Sequence, residues 1–122
     1  MSDLQPKGIA FTVGGVERHF LFTLAAVDEV QAKYDLPVSQ VIAKLADDGE
    51  VYPVVAGLAT ILINDEIHRT GAKTPDVTEQ EVKWMLDVPA ADALVGVILK
   101  AYGYALPDAE EEDPNAMGSQ NN

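Results

Sequence analysis

Two adjacent glycines interrupt an alternating apolar pattern near the start of this chain, and together they leave little choice of local structure. Between residues 8 and 22, apolar and polar side chains alternate with a period of two, which is typical of β-strands. Gly14 and Gly15 can supply the positive φ angles that both central positions of a two-residue hairpin turn require. The sequence therefore predicts a β-hairpin over residues 8–22.

A turn at these glycines sets the register of the two strands, because it places Val13 opposite Val16 and Ile9 opposite Phe20. The predicted apolar face, interrupted only by Arg18, consists of Ile9, Phe11, Val13, Val16, Phe20 and Phe22. The opposite, polar face consists of Ala10, Thr12, Glu17 and His19. An isolated hairpin is marginally stable in water, so helices are expected to cover the apolar face.

Helical periodicity begins directly after the hairpin. Thr23 is a suitable N-cap for a first helix, whose stripe at three-to-four spacing is predicted to be Leu24, Val27, either Val30 or Gln31, and Tyr34. A short second helix is expected from about residues 37–39, on the spacing of Val38, Val41, Ile42 and Leu45.

Three more helical segments follow in the second half of the chain. A third helix, roughly 52–70, is apolar almost all round and is expected to be central, with its polar end at 64–69 emerging into solvent and Gly71 as its C-cap. Thr78 and Glu81 form a capping-box signature, and Pro89 is suited to the first turn of a last helix. The predicted fold class is α+β: a two-stranded β-hairpin followed by four to five α-helices, in one domain over residues 8–106.

Composition narrows the classes of function. The 122 residues carry a net charge of −12 and no cysteine, which excludes disulfides, thiolate metal sites and a thiol nucleophile. The negative charge disfavours binding to nucleic acid or to an anionic membrane. No apolar stretch approaches the roughly 20 residues that span a bilayer, and the first residues lack the plan of a signal peptide, so the expected compartment is the cytoplasm.

The acidic residues are concentrated at the C-terminal end. Residues 107–122 contain five acidic side chains, no basic ones and almost nothing apolar, so burial cannot offset the entropy cost of ordering them. We therefore predict a disordered acidic tail over 107–122 and a flexible N-terminus over 1–7.

Few residues are candidates for catalysis or for metal binding. A metal site would require His68 to act with Asp65 and Glu66, but their spacing is better explained as a solvated helix end. His19 is expected on the polar face of the hairpin. No phosphate-binding loop or nucleophile-elbow serine is present, so the sequence predicts a protein that is not an enzyme and that uses no cofactor or metal.

Apolar residues near the C-terminal half are candidates for partner binding. Aromatic side chains are favoured anchors at interfaces, which singles out Trp84, Tyr102 and Tyr104, together with Leu106. Trp84 and Tyr102 are better explained by completion of the core, whereas Tyr104 and Leu106 follow the last helical turn and are better interface candidates. Leu21 falls on the polar face of the hairpin and marks either a second covering helix or a self-association edge.

The order of these motifs resembles that of a known family. The run from Gly14 to Tyr34, and within it Thr23-Leu-Ala-Ala-Val-Asp-Glu-Val30, is similar to the opening of tail assembly chaperones of long-tailed bacteriophages and of related gene transfer agent proteins. Thr78-Glu-Gln-Glu-Val82 matches the capped helix that follows in that family, and the resemblance covers about residues 8–106.

The resemblance implies a non-enzymatic role. Such chaperones bind the tape measure protein, and often the tail tube protein, in the cytoplasm of the infected cell, and they are absent from the finished virion. In many systems a programmed frameshift also produces a longer form. The hypothesis for this chain is a chaperone that binds the tape measure protein through apolar surface, either alone or as a homo-oligomer. Two alternatives stay open: a structural tail or adaptor protein that remains in the virion, and a small acidic enzyme or metal-dependent hydrolase built around Asp65, Glu66 and His68.

Overall fold

The computed structural model describes residues 7–105. The predictions for residues 1–6, for Leu106 and for the acidic tail 107–122 lie outside the described residues. The elements in chain order are β1 (Ile9–Val13), β2 (Val16–Phe20), α1 (Leu24–Tyr34), α2 (Val38–Ala43), a 3₁₀ turn (Lys44–Ala46), α3 (Val51–Thr70), α4 (Glu79–Met85) and α5 (Val88–Ala105). The α+β prediction, a hairpin followed by helices, is confirmed.

The hairpin has the predicted turn and register. Gly14 and Gly15 have φ angles of 60° and 81°, and β1 pairs antiparallel with β2 so that Val13 lies opposite Val16 and Ile9 opposite Phe20. Val13 and Phe20 are buried as expected. Val16 lies on the predicted apolar face opposite Val13, but it is 48% exposed, so the expectation that helices cover this face is wrong at this residue. Val13, directly opposite on β1, is buried, so the helices cover the β1 side of the strand pair at this position and leave the β2 side exposed.

Helix α1 begins where the sequence places it, but with a different buried face. The Ala26 N–H donates to Thr23 Oγ1 at 3.0 Å, which confirms Thr23 as the N-cap. Ala26 and Val30 are the buried residues, whereas Leu24 is 81% exposed, so its predicted place in the apolar stripe is wrong. Residues 24 and 26 are about 200° apart around a helix, and therefore burial of Ala26 turns Leu24 outward.

The core forms around α3, as predicted. Buried side chains run almost without interruption from Val54 to Ile63, and α3 contacts β2, α1, α4, α5 and the 3₁₀ turn. Gly71 ends the helix with a φ of 72°, as its C-cap assignment predicts. Within the described part of the chain, no helix is both long and apolar enough to span a membrane.

The last two helices start at recognisable caps. Both bonds of the capping box are present: the Glu81 N–H donates to Thr78 Oγ1 at 3.1 Å, and the Thr78 N–H donates to Glu81 Oε1 at 2.8 Å. Helix α5 begins at Val88, so Pro89 is its second residue, within the predicted first turn. The Ala90 N–H donates to Asp87 Oδ1 at 2.9 Å, which satisfies an otherwise free donor at this helix start.

Candidate functional site

An apolar groove lies between the open end of the hairpin and the last turn of α5. Its volume is about 430 Å³, and its walls are formed by Lys7, Gly8, Ile9, Phe20, Leu21, Phe22, Ala101, Tyr104 and Ala105. The alternation of the hairpin brings Phe20 and Phe22 to its floor, and the helical repeat of α5 places Ala101 and Tyr104 one turn apart on the facing wall. We refer to it as the hairpin groove.

Two of the predicted partner-binding residues meet in the hairpin groove, although they are 83 positions apart in the sequence. Leu21 is half-buried, and Tyr104 is 70% exposed beside it. Tyr104 lies within the last turn of α5, so the prediction that it follows the last helical turn is wrong. Leu106 would follow directly after the groove wall at Ala105, but it lies outside the described residues. The structure therefore places the two together at a concave apolar surface.

Tyr102 belongs to the core side of the same region. Its ring meets the ring of Phe22 edge-on, with centroids 5.7 Å apart and planes at 77°. This is a favoured geometry for aromatic pairs, since the ring edge carries partial positive charge and the face partial negative charge. Tyr102 is thus partly buried support for the groove, as the core interpretation predicts.

Trp84 is not a core residue. It is 78% exposed on α4, so the prediction that it completes the core is wrong. Val82 is the buried residue of this short helix, and Met85 packs against the core one turn later. Trp84 lies about 200° around the helix from Val82 and therefore faces away from α3.

A smaller apolar pocket lies where α4 meets the start of α5. It has a volume of about 140 Å³ and is lined by Tyr52, Val55, Ala56, Lys83, Leu86, Asp87, Val88 and Ala91. Tyr52 closes one side and donates from its hydroxyl to Asp92 Oδ1 at 2.9 Å, a bond that raises the pKa of this hydroxyl above its ordinary value. Ala91 is about 15 Å along the α5 axis from Ala101 and on another face, so this pocket and the hairpin groove are separate sites.

The polar end of α3 emerges into solvent only in part, whereas the sequence predicts that residues 64–69 are all solvated. Glu66 turns towards the hairpin, where its carboxylate accepts from the His19 backbone N–H at 2.9 Å and lies 2.7 Å from His19 Nδ1. Asp65 accepts from Thr23 Oγ1 at 2.9 Å and lies 3.3 Å from Arg69 Nη1. These side chains join α3 to the hairpin and to the start of α1.

Asn64 and His68, at the same end of α3, contact the loop that leads to α4. The Asn64 side chain exchanges two hydrogen bonds with the backbone of Val77, at 2.8 and 2.9 Å, and so holds the loop between α3 and α4. His68 is exposed as expected, with its Nε2 2.8 Å from Asp76 Oδ1. The partners in these contacts are 8 to 13 residues away in the sequence, beyond the reach of a helical pattern.

The proposed metal trio is not assembled. Asp65 faces Thr23 and Arg69, Glu66 faces His19, and His68 faces Asp76. Among residues 7–105, no three His, Asp or Glu side chains are placed so that they could hold a metal ion together. The geometry thus gives no support to a hydrolase centre built from these three residues.

Several large apolar side chains are exposed on the described part of the chain. Besides Trp84 and Tyr104, the large apolar side chains that are more than 40% exposed are Val16, Leu24, Tyr52, Val88 and Leu99. Exposed apolar and aromatic groups of this kind are typical of surfaces that bind other proteins. No protein-family model matches the chain, and no curated protein or solved structure is similar to it at a significant level.

Proposed function

We propose that this protein is a phage tail assembly chaperone that acts without catalysis, by binding the tape measure protein through the hairpin groove. The observation that carries the proposal is the open apolar groove containing Leu21 and Tyr104 on a chain of net charge −12. The motif order over residues 8–106 supports the choice of family.

The shape and chemistry of the groove suit an apolar side chain from a helical partner. Helix-in-groove recognition inserts the apolar side chains of an amphipathic helix into a preformed apolar cleft. The groove floor consists of Phe20 and Phe22, which are held by the core, so little reorganisation is needed on binding. Lys7 at its rim offers a positive charge to an acidic residue of the partner.

The negative charge suits a coating protein. A tape measure chain is long and largely helical, and its bare apolar faces would associate with one another. Bound copies of an acidic domain would cover those faces and repel neighbouring complexes, since like net charge keeps proteins apart in solution. In this proposal the protein acts in the cytoplasm of the infected host cell, contacts the tail tube protein in the same complex, and leaves before the virion is complete.

Direct binding of a purified tape measure fragment from the same genome tests the proposal. We expect Tyr104→Asp to weaken the affinity about tenfold or more, because it places a charge in the groove wall. Leu24→Asp is the matched control: Leu24 is equally apolar and exposed, but it does not line the groove, so binding should be unchanged. Equal binding by wild type and Tyr104→Asp would refute the groove as the site.

Mass spectrometry of purified mature particles separates a chaperone from a tail or adaptor protein. A chaperone that leaves after assembly is expected only in lysate fractions that contain unfinished tails. Stoichiometric amounts of this chain in finished particles would overturn the chaperone proposal and favour the structural one.

A further inference from the structure

The two edges of the hairpin differ in their contacts with the rest of the fold. In a two-residue hairpin, Val13 and Val16 bond to each other, so every second residue away from the turn points its backbone N–H and C=O outward. The outward residues are Ala10 and Thr12 on β1, and Glu17 and His19 on β2.

Side chains of α3 close the β2 edge at His19. The outward N–H of His19 donates to Glu66 Oε1 at 2.9 Å, and its outward C=O accepts from Arg69 Nη2 at 3.2 Å. A carboxylate and a guanidinium thus take the positions that a neighbouring strand would occupy. Two further residues of this strand, Glu17 and Arg18, are charged, and charged side chains on an edge strand discourage pairing with another chain.

The β1 edge has no such protection. Among the described residues, none bonds to the outward backbone groups of Ala10 or Thr12, and both side chains are exposed. The strand Ile9–Val13 contains no charged residue and no proline, although nearly a quarter of the chain is charged. An uncharged and unpaired edge is suited to pairing with a further strand.

We propose that two copies of this protein pair through their β1 strands, forming a continuous four-stranded antiparallel sheet with a two-fold axis at Phe11. An antiparallel pair of identical strands is self-complementary. With Phe11 opposite its symmetry mate, Ala10 of each copy lies opposite Thr12 of the other, and the two pairs exchange four backbone hydrogen bonds.

Two observations favour a second copy of this chain as the source of the strand that pairs with β1. Only small, uncharged side chains, Ala10 and Thr12, meet at the exposed face of the seam, so neither sterics nor like charge opposes self-pairing there. The outer edges of the resulting sheet are the two β2 strands, where Glu66 and Arg69 already occupy the backbone groups of His19 and Glu17 adds a charged side chain. Assembly therefore ends at the dimer instead of continuing into a fibre.

Sedimentation equilibrium of the full chain tests the stoichiometry. We expect a dimer whose dissociation constant falls as salt is added, because salt screens the repulsion between two chains of net charge −12. Thr12→Pro removes an outward N–H without breaking a β1–β2 bond, and it should give a monomer. Glu17→Pro makes the same change on the closed edge and should remain dimeric.

Cysteine pairing tests the register and does not depend on proline being tolerated. The chain has no cysteine of its own, so Ala10→Cys and Thr12→Cys each introduce a single thiol. Opposed residues have Cα atoms about 5.5 Å apart, within disulfide range, whereas diagonal neighbours are about 7–8 Å apart. An equal mixture of the two variants should therefore cross-link on oxidation, and either variant alone should not.

A wild type that stays monomeric up to its solubility limit would overturn this proposal, as would a dimer that persists in Thr12→Pro. Cross-linking of either single-cysteine variant alone would refute the register. These measurements involve no tape measure protein, so their outcome is independent of the proposed function.

Discussion

A single methyl group at position 57 is expected to destabilise the fold, although the same change usually stabilises a helix. Gly57 is buried within α3, where the hydroxyl end of the Tyr34 side chain from α1 occupies the space that a Cβ atom would need. A Cβ atom at this position would overlap Tyr34 Oη and lie 3.2 Å from Lys33 Cε and 3.3 Å from Tyr34 Cζ. The glycine thus permits the close approach of α1 and α3.

The magnitude follows from two opposing terms. Gly→Ala in a helix interior contributes about 1 kcal/mol of stability through helix propensity, while overpacking costs about 1–3 kcal/mol. The overlap involves a ring anchored between two packed helices, so we expect the upper half of that range and a net loss of about 1–2 kcal/mol. For a domain of this size, such a loss lowers Tm by roughly 5–10 °C.

The assay is a double-mutant cycle measured by urea denaturation. Tyr34→Phe removes the overlapping hydroxyl, which has no hydrogen-bond partner among the described residues, so this change alone should be neutral or slightly stabilising. In the Tyr34→Phe background, Gly57→Ala should cost little, giving a coupling energy of about 1–2 kcal/mol. Gly96→Ala on α5 is the control: its Cβ would meet open space, and it should gain about 1 kcal/mol at most. Equal effects of Gly57→Ala in both backgrounds would refute the reasoning.

Three further outcomes are expected. Asp65→Ala should lower the free energy of unfolding by about 2 kcal/mol in urea titrations, because Thr23 and Arg69 lose a partly buried acceptor. The exposed Asp76→Ala should cost under about 0.5 kcal/mol. Burial, with a smaller effect of the Glu79 charge, raises the pKa of Tyr34 to about 12. Since ionisation is disfavoured in the folded state, the contribution of Tyr34 to stability should be constant below pH 10 and should be lost between pH 10 and 12, so the loss of stability over that range should be smaller in Tyr34→Phe. Deletion of residues 107–122 should leave Tm nearly unchanged in calorimetry, because that segment has little apolar surface to bury; a loss of several degrees would contradict this.

Features determined by local chemistry could be predicted from the sequence. The turn at Gly14 and Gly15 requires positive φ angles that few other residues adopt, and so the strand register follows from those two positions. Thr23 and Thr78 cap their helices through bonds that span only three residues. In each case, the interacting residues are close in sequence, and the structure follows from a steric restriction or from a single hydrogen bond.

Predictions of burial failed where more than one apolar face of a helix could pack against the core. Leu24 and Trp84 both fit an apolar stripe, yet each is exposed, because small or branched neighbours, Ala26 and Val82, occupy the positions against α3. An apolar pattern shows which residues can be buried. Which face of a helix is buried depends on close packing with neighbouring elements, and those elements contain residues far away in the sequence.

The polar end of α3 shows why the hairpin groove and its surroundings could be only half predicted. In the sequence, Glu66 and Arg69 look like part of a solvated helix end, because their partners, the backbone N–H and C=O of His19, lie 47 and 50 residues earlier. That bonding is needed only because a two-stranded sheet has an edge beside α3. Once β2 is closed in this way, β1 is the edge with free backbone groups, and Leu21, which continues the closed strand, is directed to the groove wall. The hairpin pattern predicts that two edges exist, whereas the tertiary contacts of α3 determine which of them is available to a second chain.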